Sequence, residues 1–600
     1  MRPRSDEKPW EHRGVRRGRE SARTPRGTAS AAGPTSELAP DRVRPLQSRF
    51  SRWRALSLGV VHLLIAAHIA HALLAPHTLA PLELNEIVYA LEAGIVTAGF
   101  LFMILAVAAT AVFGRFFCSW GCHFLALQDL CAVALHRLGV RPKAIRSRLL
   151  AWAPACVALY MFVWPVALRW LSGRTGPQWR VTTDAEGWAS FWTEHFWRNL
   201  PGPGIATLTF LVCGAVLIYV FGSRGFCTYV CPYGAVFAWA DRAAPGRIRL
   251  ADRSCSDCGR CTAVCGSHVR VADELQRYGM VVNPACLKDL DCVGVCPDGA
   301  VHYGFGPPAL AKVTVRDQPV RARYDFSWTE EALLAAGVIA GVFIFRGLYE
   351  KVSFFLSLAL GLLGGYQAVL TARLVRRPTV FFNRRPLKRE GRWLPAGRIF
   401  AGLVIVGAGF TAHSAAIRCL VWTGLRDLDA LSRTPAHSDA GAEETRARLD
   451  DVLRRLEAAD RWGFYRPPNQ TDALARAHAA QGASLIAAGQ AHLAIPHLRR
   501  AIDLRPDFAA AHAELGAALS GLNDVADGLR HLRIAVRLDP QSAKAQYNLG
   551  VVLAATGRPV EARQALTEAR RLDPNDAQTR ECLRLLGEAP ADAPPVTDRP

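Results

Sequence analysis

Residues 115–123 read Arg-Phe-Phe-Cys-Ser-Trp-Gly-Cys-His, and 109 positions later residues 224–232 read Arg-Gly-Phe-Cys-Thr-Tyr-Val-Cys-Pro. The arginine, a phenylalanine and both cysteines of a C-x3-C pair recur in register. Each block follows two long apolar stretches. The first four stretches therefore read as a duplicated helical hairpin, with Cys118 and Cys122 facing Cys227 and Cys231 at a membrane surface. This makes the fold class mainly α, a multi-pass helical membrane protein.

Seven apolar segments lie near 55–76, 90–113, 148–171, 204–222, 330–349, 352–375 and 398–423. Each is long enough to cross a hydrocarbon core of about 30 Å as a helix. Only Glu350 and Lys351 separate the fifth from the sixth, which predicts a tight hairpin or shifted boundaries. Of 600 residues, 50% are hydrophobic and 20% charged, a balance that argues against a wholly soluble enzyme.

The net charge of +21 does not indicate a nucleic-acid partner. Much of the arginine flanks apolar runs, as the positive-inside rule requires. Arg49, Arg52 and Arg54 precede the first span. Arg115, Arg137, Arg141, Lys143, Arg146 and Arg148 follow the second, and Arg376, Arg377, Arg384, Arg385, Lys388, Arg389, Arg392 and Arg398 precede the seventh. In a seven-span chain these loops share the cytoplasmic side of an inner membrane. Glu83, Glu86, Asp184, Glu186 and Glu194, with Trp188, Trp192 and Trp197, fall on the other side. The N-terminus, a basic arm over 1–54 expected to be disordered, is then cytoplasmic and the C-terminus extracytoplasmic.

The insertion at 223–329 holds a C-x2-C-x2-C-x3-C run, Cys255, Cys258, Cys261 and Cys265, followed by Cys286, Asp289, Cys292 and Cys296-Pro297 in the same register. Such runs hold iron–sulfur clusters, the fourth cysteine serving the neighbouring cluster. That rule assigns Cys255, Cys258, Cys261 and Cys296 to one [4Fe–4S] cluster. Cys265, Cys286 and Cys292 remain for a second, with the Asp289 carboxylate a candidate fourth ligand. A carboxylate is a harder donor than a thiolate, so the second site suits a labile [4Fe–4S] or a [3Fe–4S] centre. Zinc also takes C-x2-C pairs, but seven cysteines at this spacing favour iron–sulfur. The membrane-surface pairs leave three readings open: a third iron–sulfur or other soft-metal centre, dithiols that cycle with disulfides, or buried structural cysteines. Cys131, Cys156, Cys213, Cys419 and Cys582 have no paired spacing and read as small apolar residues.

His68 and His71 lie one helical turn apart in the outer half of the first span, near Glu83, Glu86 and Glu92. Ionisable groups at that depth mark a pathway or site. They suit a quinol site, a b-type haem ligated together with His413, or interfacial histidines bonded to their neighbours. No residue is assigned a catalytic role.

Beyond an expected linker at 424–469, a 34-residue period appears. Gly482, Gly516 and Gly550 share it with Pro506, Pro540 and Pro574, with Leu498, Leu532 and Leu566, and with Ala501, Ala535 and Ala569. This is the tetratricopeptide pattern. It predicts an α-solenoid over 470–590, capped by a helix at 575–588, that offers a protein partner a concave surface.

Duplicated C-x3-C elements followed by a two-cluster segment resemble the membrane polyferredoxins over roughly residues 50–310. That family includes the quinol-dehydrogenase-like subunit of periplasmic nitrate reductase and the membrane regulator of nitrous-oxide reductase. The resemblance implies electron transfer at the cytoplasmic membrane, often from quinol toward an extracytoplasmic partner, or metal reduction during oxidase assembly. The matching positions are Cys118, Cys122, Cys227, Cys231 and the ferredoxin cysteines. His123 and Gly266 stand where the family has proline, and Asp289 where it has a cluster cysteine. A redox-sensing regulator or metalloenzyme assembly factor is the alternative expectation.

Overall fold

The computed structural model describes residues 48–588 except 83–85, 141, 143–144, 174, 183–189, 198–200, 252–254, 268, 316–323 and 434–438. Residues 1–47 of the basic arm, and Arg141, Lys143, Glu83, Asp184, Glu186 and Trp188 of the topology argument, lie outside the described residues.

Among the described residues seven apolar helices follow in order: α1 (Arg49–Leu74), α2 (Ala98–Phe113), α3 (Leu150–Leu171), α4 (Pro203–Phe221), α5 (Trp328–Phe345), α6 (Phe354–Arg376) and α7 (Pro395–Arg433). All but α2 are long and apolar enough to cross a membrane. With 16 residues, α2 spans about 24 Å at 1.5 Å per residue. Its start is set back from residue 90 for a local reason. Gly94 adopts a left-handed backbone (φ +70°) where a Cβ would lie 2.3 Å from the Gln178 carbonyl oxygen. The Val96 and Arg180 N–H groups then bond across to Arg180 and Gly94, and Thr97 caps the new helix by accepting from the Phe100 N–H.

The connection between α5 and α6 is residues 346–353, so of the two expectations it is the boundaries that shift. Arg346 ends α5 in extended backbone, and Tyr349 and Glu350 are left-handed. The two helices pack through Gly337 and Gly341 against Gly365 and Gly361; a Cβ on Gly341 would stand 2.2 Å from the Gly361 Cα. This small-xxx-small contact on both helices lets their backbones approach closely.

In the insertion, β1 (Gly246–Leu250) pairs antiparallel with β2 (Val301–Phe305), Gly246 opposite Phe305 and Leu250 opposite Val301. The cysteine segments lie between these strands in sequence. Their core gathers Ile248, Val271, Leu275 and Val281 with Cys286 and Cys292. The result is a small α+β element.

The stretch 424–469 is not an extended linker. Helix α7 runs on to Arg433, and α8 (Asp439–Trp462) folds back on it. Leu449, Val452, Leu453 and Leu456 follow the i, i+3, i+4, i+7 spacing of an amphipathic helix and bury against Leu428 of α7 and Ala473, Leu474 and Ala477 beyond. The repeats follow as helix pairs: α9 (Pro468–Ala487) with α10 (Ala491–Leu504), α11 (Ala509–Gly521) with α12 (Val525–Leu538), and α13 (Ala543–Ala555) with α14 (Pro559–Leu572). A final α15 (Ala577–Glu588) closes the stack. A Cβ on Gly482, Gly516 or Gly550 would lie 2.6 Å from the Cγ of Leu498, Leu532 or Leu566 respectively, which is why glycine and leucine recur together. The 346–353 connection meets the start of the solenoid: the Phe464 and Asn469 N–H groups donate to Tyr349 Oη (3.1 Å) and Glu350 Oε1 (3.2 Å).

Candidate iron–sulfur sites

After α2 and α4 the chain makes two short helices, Phe116–Trp120 and Gly225–Tyr229, each followed by a cysteine at the N-cap of a longer helix. Cys118 and Cys227 sit on the short helices, Cys122 and Cys231 at the caps. The duplicated hairpin thus brings all four thiols into one buried volume. Burial pushes Cys122 up to about 12, and neighbouring Cys227 and Cys118 raise it further. Burial takes Cys227 up to about 11 against the lowering effect of the Gln128 amide. Cys231 is raised by burial and then by Cys227, Cys122 and Cys118.

The same pocket holds Arg115 and Gln128. The Gln128 amide N–H donates to Cys227 Sγ at 3.0 Å, and Arg115 Nη2 stands 3.9 Å from Cys118 Sγ. The buried Arg115 Nε has no hydrogen-bond partner. Four thiolates with an unsatisfied guanidinium N–H beside them fit a negatively charged iron–sulfur core, because buried N–H groups are seldom left orphaned.

The ferredoxin segment is held tightly to this pocket. Arg115 Nη1 donates to the Pro284 carbonyl (2.6 Å), Ser119 Oγ to the Leu287 carbonyl (2.7 Å) and Trp120 Nε1 to the Lys288 carbonyl (3.1 Å). Lys288 in turn reaches the buried Asp241 (2.7 Å), which also accepts from the Arg115 backbone N–H. The arginine of the second block does the equivalent work. Arg224 bonds Ser267 Oγ (2.8 Å) and pairs with Asp289 (3.0 Å), and its guanidinium lies in the field of both Cys265 and Cys227. From α1, Arg54 adds ion pairs to Asp291 (3.0 Å) and Asp129 (3.1 Å).

Within the segment, the thiols fall into two groups. Cys255 and Cys258 lie near Cys261 and raise it after burial has done so. Ser256 N–H donates to Asp298 (3.1 Å), tying this run to the residues just past Cys296. Cys265 and Cys286 lie together with Cys292, and burial raises all three, Cys265 to about 12. Asp289 stands beside this second group. Among the described residues no three cysteine, histidine or carboxylate side chains converge as the ligands of one metal ion would.

The membrane histidines find other partners. His68 Nε2 bonds the Leu79 carbonyl (3.0 Å) and His71 Nδ1 bonds Thr78 Oγ1 (3.0 Å), while His413 stacks near Phe464. His68 and His71 thus each bond a neighbouring group close to the end of α1. Sequence reasoning passed over Gln128, Asp241, Lys288 and Asp291. It registered the arginine repeating with the cysteine pair, and that repetition was the available signal for Arg115 and Arg224.

Over its two paired-cysteine hairpins the folded chain resembles the membrane polyferredoxins, and it ends in a tetratricopeptide stack. A model of a 4Fe-4S binding domain matches residues 95–141 and 204–250, the two paired-cysteine hairpins, and a tetratricopeptide-repeat model matches 514–577. Among known proteins, the chain is similar to YccM of Escherichia coli, named as an electron transport protein: 30% identity over 118 residues, covering 20% of this chain and 31% of YccM. Protein NirI of Paracoccus denitrificans is 32% identical over 196 residues, 30% of this chain and 25% of NirI. The methylamine utilization ferredoxin-type protein MauN of Methylobacillus flagellatus is 27% identical over 179 residues, 29% of this chain and 54% of MauN. The chain therefore covers about a third or less of the first two relatives.

Proposed function

We propose that this protein is an electron-transfer subunit of the inner membrane that relays single electrons to a protein partner, with quinol as the donor. Its residues would hold two iron–sulfur clusters in the ferredoxin segment, through Cys255, Cys258, Cys261 and Cys296 and through Cys265, Cys286 and Cys292. Cys118, Cys122, Cys227 and Cys231 would hold a third centre. Such clusters, when bound, take up and give back one electron without making or breaking substrate bonds.

The observation that carries this reading is the stitching of the two cysteine regions to each other. Arg115, Ser119 and Trp120 of the paired-cysteine hairpin bond three carbonyls in 284–288, the loop around Cys286. Such a contact would keep the two cysteine regions beside each other. The match of a 4Fe-4S model to both hairpins supports a centre at the pairs. In the topology we favour, the ferredoxin segment and the arginine-rich helix ends are cytoplasmic. The solenoid, which meets the opposite 346–353 connection, is extracytoplasmic. There it would take a partner; Arg530, Arg533, Arg537 and Arg558 line one of its grooves and suit an acidic surface.

Low-temperature electron paramagnetic resonance on oxidised and reduced membranes, with iron counted per chain, tests the proposal. Two clusters would account for about seven or eight irons, and a third cubane would bring the total near twelve. Reduction by a quinol analogue is expected. Zinc with negligible iron refutes the reading. Full iron without reduction by quinol favours the alternative, a redox-sensing regulator or assembly factor, for which the solenoid already supplies a docking domain.

A further inference from the structure

Asp289 occupies the register position of a cluster cysteine, and its surroundings say what it does there. Lys288 and Leu290 on either side both have left-handed backbones, at φ 54° and 62°, a conformation uncommon for residues other than glycine. This pair of turns aims the Asp289 side chain at a lattice of charge. Oδ2 lies 3.0 Å from Arg224 Nη1 and 3.9 Å from Arg54 Nη1. Oδ1 accepts from the Asp291 N–H at 3.3 Å. The residue is 7% exposed and Arg224 4%, so the pair is screened little by solvent. Arg224 also bonds Ser267, and removing Asp289 would take away the nearest carboxylate to its buried charge.

We propose that Asp289 is a charge partner of Arg224 and not an iron ligand, so that the second ferredoxin-type site binds through Cys265, Cys286 and Cys292 alone and takes a three-iron [3Fe–4S] core. The inference rests on the iron–sulfur reading above and adds the ligand set and nuclearity. A carboxylate is already a hard, weak donor to iron among thiolates. One whose oxygens are committed to a guanidinium and a backbone N–H donates less still. Three thiolates match the three irons of the smaller core, one to each.

The test uses the full chain, purified anaerobically. An oxidised three-iron core is paramagnetic whereas an oxidised cubane is silent, so the wild type should show an oxidised signal of about one spin per chain. Asp289→Cys should abolish that signal and add about one iron per chain, while Asp289→Asn should leave it in place. The reduced-state signal of the Cys255, Cys258, Cys261 and Cys296 site reports whether each variant is folded. A wild type silent when oxidised overturns the proposal, the more so if Asp289→Asn then creates the signal. Protein without iron at any site sinks the electron-transfer reading itself, a result distinct from iron present as cubanes only.

Discussion

Asp241 is a single carboxylate with no exposure, facing Lys288 at 2.7 Å and Arg247 at 3.5 Å, both equally buried. It also accepts from the Arg115 backbone N–H, so one side chain links the first cysteine hairpin, the start of the ferredoxin segment and the loop beyond Cys286. Burying three charges is costly, but once they are paired, deleting one partner strands the others and costs about 3–5 kcal/mol. Asp241→Ala should therefore unseat the 284–292 loop. The expected outcome is a lower unfolding midpoint and loss of iron from the Cys265, Cys286 and Cys292 site, read by iron counting beside the wild type. An unchanged midpoint and full iron would show the lattice to be dispensable. This lattice was not legible in the sequence. Thiol ligands declare themselves because a cluster needs several at short local spacing. Asp241 and Lys288, by contrast, are 47 positions apart, and Arg54 and Asp291 are 237 apart. Nothing local in either stretch encodes such a pairing.

Helices were legible to the degree that one residue type dominates a repeating contact. The 34-residue period is a packing rule written three times, glycine on one helix receiving leucine from the next. The Cβ that valine would add at Gly516 meets Leu532 Cγ at 2.6 Å and the Gly528 carbonyl at 2.8 Å. Overpacking of this kind costs about 1–3 kcal/mol. Gly516→Val should thus lower the solenoid's unfolding midpoint in circular dichroism, whereas a substitution at Gly521, where nothing lies within 4 Å, should cost far less. Equal effects at the two positions would contradict the packing argument. The spans were legible as apolar runs but not in their ends, because hydropathy ignores caps. Ser353 starts α6 by accepting from the Leu356 N–H, and Thr97 together with the left-handed Gly94 delays α2. Hydropathy also gave no hint that α7 would continue as helix beyond the expected span, since there only Gly424 and Leu428 are buried, packed against α8.

At the scale of the whole chain, the solenoid carries its own response to acid. The solenoid contains two histidine pairs related by the repeat: His478 and His497, with ring nitrogens 3.1 Å apart, and His512 and His531 at 2.9 Å. The third repeat has Gln546 and Ala565 at these positions. Each close Nδ1–Nδ1 contact needs one donor and one acceptor, so the two Nδ1 atoms of a pair cannot both be protonated and the two rings cannot both be cationic in this geometry. Burial, then His497 and Arg500, take His478 down to about 4 from its ordinary 6.5. Burial also lowers His512 and His531, Arg530 adding to both and Asp527 opposing at His531. Glu457, half exposed, lies 3.5 Å from His478 Nε2. With folded values below the unfolded ones, the unfolded chain binds more protons as pH falls, so stability rises with pH. The contribution is complete above about pH 6.5 and is lost progressively toward pH 4. Unfolding of the solenoid, followed by circular dichroism at pH 7.5 and pH 5, should occur at a lower temperature in acid. Replacing His478 and His512 by glutamine, as the third repeat does at Gln546, should flatten the dependence. A double variant that keeps the wild-type slope would remove these pairs as its cause.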